Sequence, residues 1–285
     1  MISVVIVQHN HAALTRSAVE SLRARHTQGF ETIVVDNGST EPGARETAGA
    51  LPGCRVVLNA DNQGFGRANN AGAREAAGDI ILFLNNDTRI PGIVLPAIEE
   101  HFARFPRCGA AGPRLANPDG TAQASAGAPV TLRTLWTMKT GHAAYGDGPA
   151  RECGWVSGAA MAVRKDVFHA VGGFDERYFM YFEDIDLCAR IRRAGYEIHF
   201  LPEVTIEHLG GGSQPGGLSP RVRTEYRRSQ IMYFLAHGSA VDNLVLRLYL
   251  LARFLPQRVS RSAENRAVAS TVVSMALGHH DEHRA

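Results

Sequence analysis

Along the first third of the chain, short runs of apolar residues alternate with segments whose apolar positions recur every three or four residues. Residues 3–7 form a β-branched run, and residues 13–24 follow with Leu14, Ala18 and Leu22 at helical spacing. The same strand-then-helix pattern recurs at 32–36 before a helix near 42–51, at 55–58 before a helix over 66–77, and at 80–84 before a helix over 93–105. Such alternation predicts an α/β fold, a mostly parallel sheet with right-handed crossovers and helices on both faces. Residues 106–131, richer in Gly, Pro and Asn, read as an irregular crossover, and 134–151, with Gly141, Gly146 and Gly148, as a mobile loop. Beyond them the pattern predicts a strand over 155–163 with small residues at its centre, and a short helix over 164–171 ended by Gly172-Gly173. A helix from Glu183 to Gly195 follows, then two strands at 197–201 and 204–208, and helices from Leu218 onward.

At 285 residues the chain buries a full core, and a formal net charge of +2 is too small to imply nucleic acid as a partner. Cys54, Cys108, Cys153 and Cys188 have no paired spacing and read as reduced core residues. No basic region, long apolar stretch or cleavage site stands ahead of the first strand, so the expected location is cytoplasmic. Charge is uneven, however: between Leu218 and Ser270 there are nine arginines against three acids, Glu225, Asp242 and Glu264. The apolar segment 244–255, LVLRLYLLARFL, is too short to span a bilayer. It suits either the interface of an anionic membrane, at the inner face of the cytoplasmic membrane, or a helical hairpin or homodimer contact.

The polar residues that end the apolar runs carry the candidate chemistry. Residues 80–88, IILFLNNDT, read as a strand buried on both faces that delivers Asp87 to the carboxyl edge of the sheet, where ligands of open α/β sheets sit. A carboxylate fixed there suits a divalent cation held against a diphosphate; turning the chain or capping the next helix is the other reading. Gln8-His9-Asn10, Asp36-Asn37-Gly38-Ser39 and residues 59–66 should open onto the same edge. Asp36 is a candidate to accept from a nucleobase ring N–H, or else a turn carboxylate. In 62–70, NQGFGRANN, Gly64 and Gly66 permit close backbone approach, and Arg67 or the helix start suits phosphate. A dinucleotide-binding fingerprint is excluded, because it belongs after the first strand, where His9-Asn10-His11-Ala12 contains no glycine. Further on, Asp184 shares a helix face with Leu187, Cys188 and Ile191 and so turns inward beside the aromatics of 174–182, a setting for a general base; dipole compensation is the plainer reading of the acidic first turn. His208 ends a strand just ahead of Gly210-Gly211-Gly212 and is a candidate ligand.

With VVIVQHN, VVDNGS, NQGFGRANN, FLNNDT, VSGAAMAVRKDVF, GGFDERYFMYFEDIDLCARIRRAGY and IEHLGGGS in this order, the chain resembles the inverting family 2 glycosyltransferases of GT-A fold, especially their rhamnosyltransferase-like branch. The resemblance covers roughly residues 1–215, which sets a domain of 1–215 against a helical region of 216–285. It implies transfer of a sugar, L-rhamnose from dTDP-rhamnose in this branch, to a cell-surface polysaccharide or lipid-linked saccharide, from a dTDP- or UDP-sugar donor. It also implies roles. Asp184 matches the catalytic base; Asp87 and His208 match metal ligands for Mg²⁺ or Mn²⁺; Asn10, Asp36, Asn37, Gly38, Asn62, Gly64, Arg67, Asn70 and Asn86 fall at the donor; Trp155, Ser157, Gly158, Ala159 and Glu183 fall at the acceptor. The metal motif departs at its first position, Asn85 standing where the family has Asp, which removes one anionic ligand. A catalytically silent nucleotide-sugar binder is the alternative, and the presence of both Asp87 and Asp184 argues against it.

Overall fold

The structure, a computed structural model, describes residues 1–132, 134, 148–210 and 219–279. Most of the loop expected over 134–151, the glycine run at 211–212 and the expected boundary at 215/216 lie outside the described residues. Strands β1 (Ile2–Gln8), β2 (Phe30–Asn37), β3 (Cys54–Asn59) and β4 (Ile80–Asn85) lie parallel in the order β3-β2-β1-β4. Their crossovers carry α1 (Ala12–Arg25), α2 (Ala44–Gly49) and α3 (Phe65–Arg74). Val4, Val5, Ile6, Ile81, Leu82 and Phe83 are completely buried because both faces of these strands are covered, which is why the runs are apolar without alternation. Val4 and Ile6 pack on one side with Ala18, Val19 and Leu22 of α1, while Val5 and Ile33 pack on the other with Ala68 and Ala71 of α3.

The second half departs from the expected pattern. Residues 106–131 are not irregular throughout: β6 (Cys108–Ala116) is a nine-residue strand in the middle of the sheet. Its sequence, CGAAGPRLA, lacks β-branched residues because its neighbours press close. A side chain at Gly109 would strike Ile191 and Tyr196, and one at Gly112 would strike Val156. Pro113 sits where the partner strand β11 (Glu197–His208) shifts register between Leu201 and Thr205, so 197–208 is one interrupted strand rather than two. The run 155–163 is likewise two pieces, β9 (Trp155–Val156) and β10 (Ala160–Arg164), divided by a turn at Ser157 to Ala159. Strand β10 runs antiparallel between β4 and β6. The remaining short strands are β5 (Thr88–Arg89), β7 (Ala126–Gly127) and β8 (Arg151–Cys153); β5 and β8 pair with β11, and β7 with β9. Helices α4 (Leu95–Arg104), α5 (Lys165–Ala170) and α6 (Glu183–Arg193) complete the layers.

At the end of the sheet away from Asn85 and His208, His101 and His199 share a 2.9 Å hydrogen bond and His199 Nε2 reaches Glu197 at 3.1 Å, with Cys108 beside them. Burial holds His101 down at about 4, so its ring is neutral at physiological pH. All four cysteines are free, and three are buried.

Helices α7 (Pro220–His237), α8 (Ala240–Phe254) and α9 (Ala263–Ala276), with a 3₁₀ turn at Leu255–Val259, pack as a cluster against α6 and the segment before it. Ser239 and Asp242 form a reciprocal capping box at the start of α8. His237 Nε2 lies 2.6 Å from Asp186 Oδ1, Ser229 donates to Met180 O at 2.9 Å, and Tyr226 and Tyr233 stack on Phe182. Leu246, Leu250 and Phe254 of α8 are buried, whereas Val241, Leu244 and Leu248 are more than half exposed. No helix among the described residues is long and apolar enough to cross a membrane.

Candidate active site

Asp87 and His208 are brought together by strand pairing. Strand β4 ends at Asn85, the chain turns with Thr88 Oγ1 donating to Asn85 O at 2.6 Å, and β5 pairs antiparallel with β11 so that Thr88 faces His208. His208 Nε2 then stands 3.2 Å from Asp87 Oδ1, with Asn85 Nδ2 at 3.4 Å from the same nitrogen. Asp87 Oδ1 is buried and has no hydrogen-bond partner, so the 3.2 Å approach is not along a ring N–H. Leu209 N–H donates to Asp87 O, and a side chain at Gly210 would strike Asp87 Oδ2, so the backbone lies directly over the carboxylate. An unsatisfied buried carboxylate oxygen beside an imidazole nitrogen fits a divalent cation of the Mg²⁺ or Mn²⁺ kind.

Asp184 stands at the start of α6, where left-handed backbone at Tyr181 and Phe182 (φ 68° and 66°) turns the chain sharply into the helix. It is half-buried; Oδ2 accepts from Gly158 N–H at 2.9 Å and Oδ1 from Ile185 N–H at 2.8 Å. A Cβ at Gly158 would come within 3.1 Å of the Phe65 ring, so glycine leaves the turn clear of it. The next residue along, Ala159, accepts from Asn85 N–H at 2.9 Å, so one turn touches both the base candidate and the metal motif. Burial raises Asp184 above the ordinary carboxylate range, against the pull of its two N–H donors. Glu183 is buried with Oε2 unpartnered, and burial followed by repulsion from Asp184 pushes it well above its usual value. Asp186, by contrast, is paired with Arg190 at 2.7 Å and with His237, and so anchors α7 to α6.

The residues expected at the donor come mostly from the first three strand ends and the loops that follow them. Asp36 is fully buried, with Gln8 Nε2 at 2.9 Å, Ser39 N–H at 3.1 Å and Arg45 Nε at 3.1 Å. Oδ1 takes two of these donors and Oδ2 one, so a base N–H reaches the carboxylate only after the groups that cover it move aside. Asn37 bonds Asn59, Asn62, Gln63 N and Gly64 O, fixing the loop before α3. Asn10, at φ 61°, takes the N–H groups of Thr40 and Glu41. Gly38, at φ 70°, passes so close to Asp61 that a side chain has no room. Gly64, at φ 87°, lies against Phe179 and donates its N–H to Asn62. Asn86 holds Thr15 of α1 at 3.2 Å.

Two residues expected at the donor bond to the loop ahead of α6. Arg67 pairs with Glu176 at 2.9 Å, and Asn70 spends its amide on Phe174 N and O and on Glu176, binding α3 to the loop ahead of α6. Helical phase turns both toward that loop. Of the residues expected at the acceptor, Trp155 is buried with its indole N–H unpartnered, and Ser157 N–H donates to Ser125 O. Arg45 at Asp36 and Gln123 at His208 were not singled out from the sequence; Arg45 lies in the expected helix of 42–51 but is marked only by its tertiary contact, and Gln123 sits in a stretch without periodicity.

Residues 3–172 match the model of glycosyl transferase family 2, and residues 149–209 match that of the N-terminal domain of galactosyltransferase. An N-acetylglucosaminyl-diphospho-decaprenol L-rhamnosyltransferase of Mycobacterium tuberculosis is 30% identical over 232 residues, covering 73% of this chain and 76% of its own. Among solved structures, GalNAc-T7 with UDP, GalNAc and Mn²⁺ aligns with a TM-score of 0.64 at 16% identity, over 95% of this chain and 54% of the other. S. aureus TarS 1-349 in complex with UDP-GlcNAc aligns at 0.60 and 16% identity, over 97% and 80%. Those likenesses establish the GT-A fold, and the family match over more than half of the chain, together with the 30% identical relative, establishes the rest: the chain is a glycosyltransferase, rhamnosyltransferase-like, and belongs to glycosyl transferase family 2.

Proposed function

We propose that this enzyme transfers L-rhamnose from dTDP-rhamnose to a hydroxyl of a lipid-linked saccharide, with inversion, and with Asp184 as general base. The observation that carries the reading is the Gly158-Ala159 turn, which ties the Asp184 carboxylate to the end of β4, where Asp87 and His208 face one another. A base raised by burial and held by two N–H groups is fixed in position and ready to take the acceptor hydroxyl proton as the oxygen attacks the anomeric carbon. The bond to the diphosphate breaks in line with the one that forms, so no covalent sugar-enzyme intermediate is needed. A Mg²⁺ or Mn²⁺ ion held by Asp87 and His208 neutralises charge on the departing nucleoside diphosphate when bound. Donor and acceptor classes rest on the rhamnosyltransferase relative.

The test is a thermal-shift panel of nucleotide sugars with and without Mn²⁺. At about 100 times Kd, dTDP-L-rhamnose with Mn²⁺ should raise Tm by about 5–10 °C. A larger shift with a UDP-sugar reassigns the donor, and no shift with any sugar defeats the reading.

A lipid-linked acceptor requires the enzyme at a membrane surface, and the exposed stripe Val241, Leu244, Leu248 and Leu255, beside exposed Arg253, Arg258 and Arg261, supplies apolar and cationic contact together. Arg247 bonds Ala276 O at 3.0 Å and belongs to the packing of the helices. Replacing Arg253, Arg258 and Arg261 with Gln should weaken binding to anionic liposomes by about 100-fold, at roughly 1 kcal/mol per residue. Wild-type protein left in the supernatant with anionic lipid at low salt would make this face a homodimer contact instead.

A further inference from the structure

We infer that Gln123 is a positioning residue that locks the tautomer of His208, leaving Nε2 bare for the cation beside Asp87; the inference rests on the metal reading above. The direction of each hydrogen bond follows from one end of a chain of contacts. The Asp119 carboxylate only accepts, so the Thr121 hydroxyl, 2.6 Å away, donates to it. Thr121 Oγ1 has then given up its proton and accepts from Asn117 Nδ2 at 2.8 Å, which turns Asn117 Oδ1 toward Gln123. Gln123 Nε2 donates to that oxygen at 2.6 Å, and also to the backbone carbonyl of His208 at 2.8 Å. Both acceptors demand the NH₂ end, so Gln123 presents Oε1 to His208 Nδ1 at 2.8 Å, and Nδ1 must carry the proton. The other nitrogen, Nε2, has its lone pair toward Asn85 and Asp87, whose Oδ1 has no donor of its own.

Two electron-pair donors 3.2 Å apart with no proton between them are poorly arranged for each other and well arranged for a shared cation. Gln123 adds position as well as polarity. By holding both the ring and the backbone carbonyl of His208, it fixes the ring's rotation at the last residue of β11, beyond which sheet pairing no longer restrains the chain. Gln123 itself is anchored through its N–H to Leu115 O of β6. Orienting partners of this kind are worth about 10- to 100-fold in metal affinity.

The experiment uses the full chain with ¹⁵N-labelled histidine, free of metal, and assigns His208 by the signals lost in His208→Gln. Wild type should show a bare Nε2 and protonated Nδ1. Gln123→Leu should lose that preference and weaken Mn²⁺ binding, read by electron paramagnetic resonance with Mn²⁺ alone and with dTDP, by about 10- to 100-fold. Gln123→Glu keeps an acceptor for Nδ1 but loses the NH₂ that Asn117 Oδ1 and the His208 carbonyl require, so it should keep Nδ1 protonated while weakening Mn²⁺ binding less than Gln123→Leu does. A bare Nδ1 in wild type, or Mn²⁺ affinity equal in wild type and Gln123→Leu but reduced in Asp87→Ala, overturns the role of Gln123 alone. Equal Mn²⁺ affinity in wild type and Asp87→Ala overturns the metal reading and this role with it.

Discussion

Asp184→Asn is expected to lower kcat by about 10²- to 10⁴-fold while leaving nucleotide-sugar affinity within about twofold, the loss of a positioned general base. That range corresponds to about 3–5 kcal/mol of barrier. Asn keeps the size of the side chain and still accepts one of the two N–H groups, from Gly158 or Ile185, that hold Asp184, while its NH₂ must turn away from the other. Stability also argues for a clean variant. A carboxyl whose folded pKa is raised favours the fold below its unfolded value and loses that advantage as pH rises through the folded value, a pH dependence that Asn removes. The same shift sets the wild-type pH profile, whose acid limb in kcat/KM should lie above the ordinary carboxylate range and disappear in Asp184→Asn. Single-turnover kinetics with donor affinity measured separately decide the matter; an equal loss in donor binding would move Asp184 from proton transfer to donor recognition.

The first four strands and their helices were legible because each strand is covered on both faces and each helix on one, so burial alone writes the two periodicities into the sequence. Strand β6 hid for the opposite reason. Its Gly109 and Gly112 answer to Ile191, Tyr196 and Val156, residues distant in sequence, and composition selected by close approach imitates that of a loop. The turn at Gly158 that splits 155–163 was hidden in the same way, since small residues at a strand centre and at a tight turn read alike.

Among the candidate site residues, the placement of a side chain delivered by the end of a regular element could be read from the sequence, and that of one defined by a tertiary partner could not. Asp87 and His208 end strands, and Asp184 opens a helix whose apolar face fixes its direction. Arg67 and Asn70 were assigned from their place after Gly64, but the phase of α3 turns them to Glu176 and Phe174. Gln123 lies far in sequence from His208, in a stretch without period, and only the fold shows the two amide and imidazole groups meeting. Asp36 is intermediate: its strand end was legible, but its partners Gln8 and Arg45 come from two other segments and take up the carboxylate.

Asp87→Ala is expected to abolish metal-dependent donor binding, with an apparent Mn²⁺ affinity reduced by at least about 10³-fold. Unit opposite charges about 4 Å apart attract by about 4 kcal/mol at an effective dielectric near 20, and a doubly charged ion feels more. Within the motif no second carboxylate replaces the charge, since its first position is Asn85 and the other ligand candidate, His208, would bring a ring lone pair and no negative charge. Asp87→Ala also opens space under Gly210 without breaking the backbone bond from Leu209 N–H to the carbonyl of residue 87, so the turn should persist. His208→Ala removes one neutral ligand and should cost less, about 10- to 100-fold. Isothermal titration of dTDP into each variant at a series of Mn²⁺ concentrations separates the two effects. If donor affinity in Asp87→Ala rises with Mn²⁺ as steeply as in wild type, the cation is held elsewhere, and the juxtaposition of Asp87 Oδ1 and His208 Nε2 is structural.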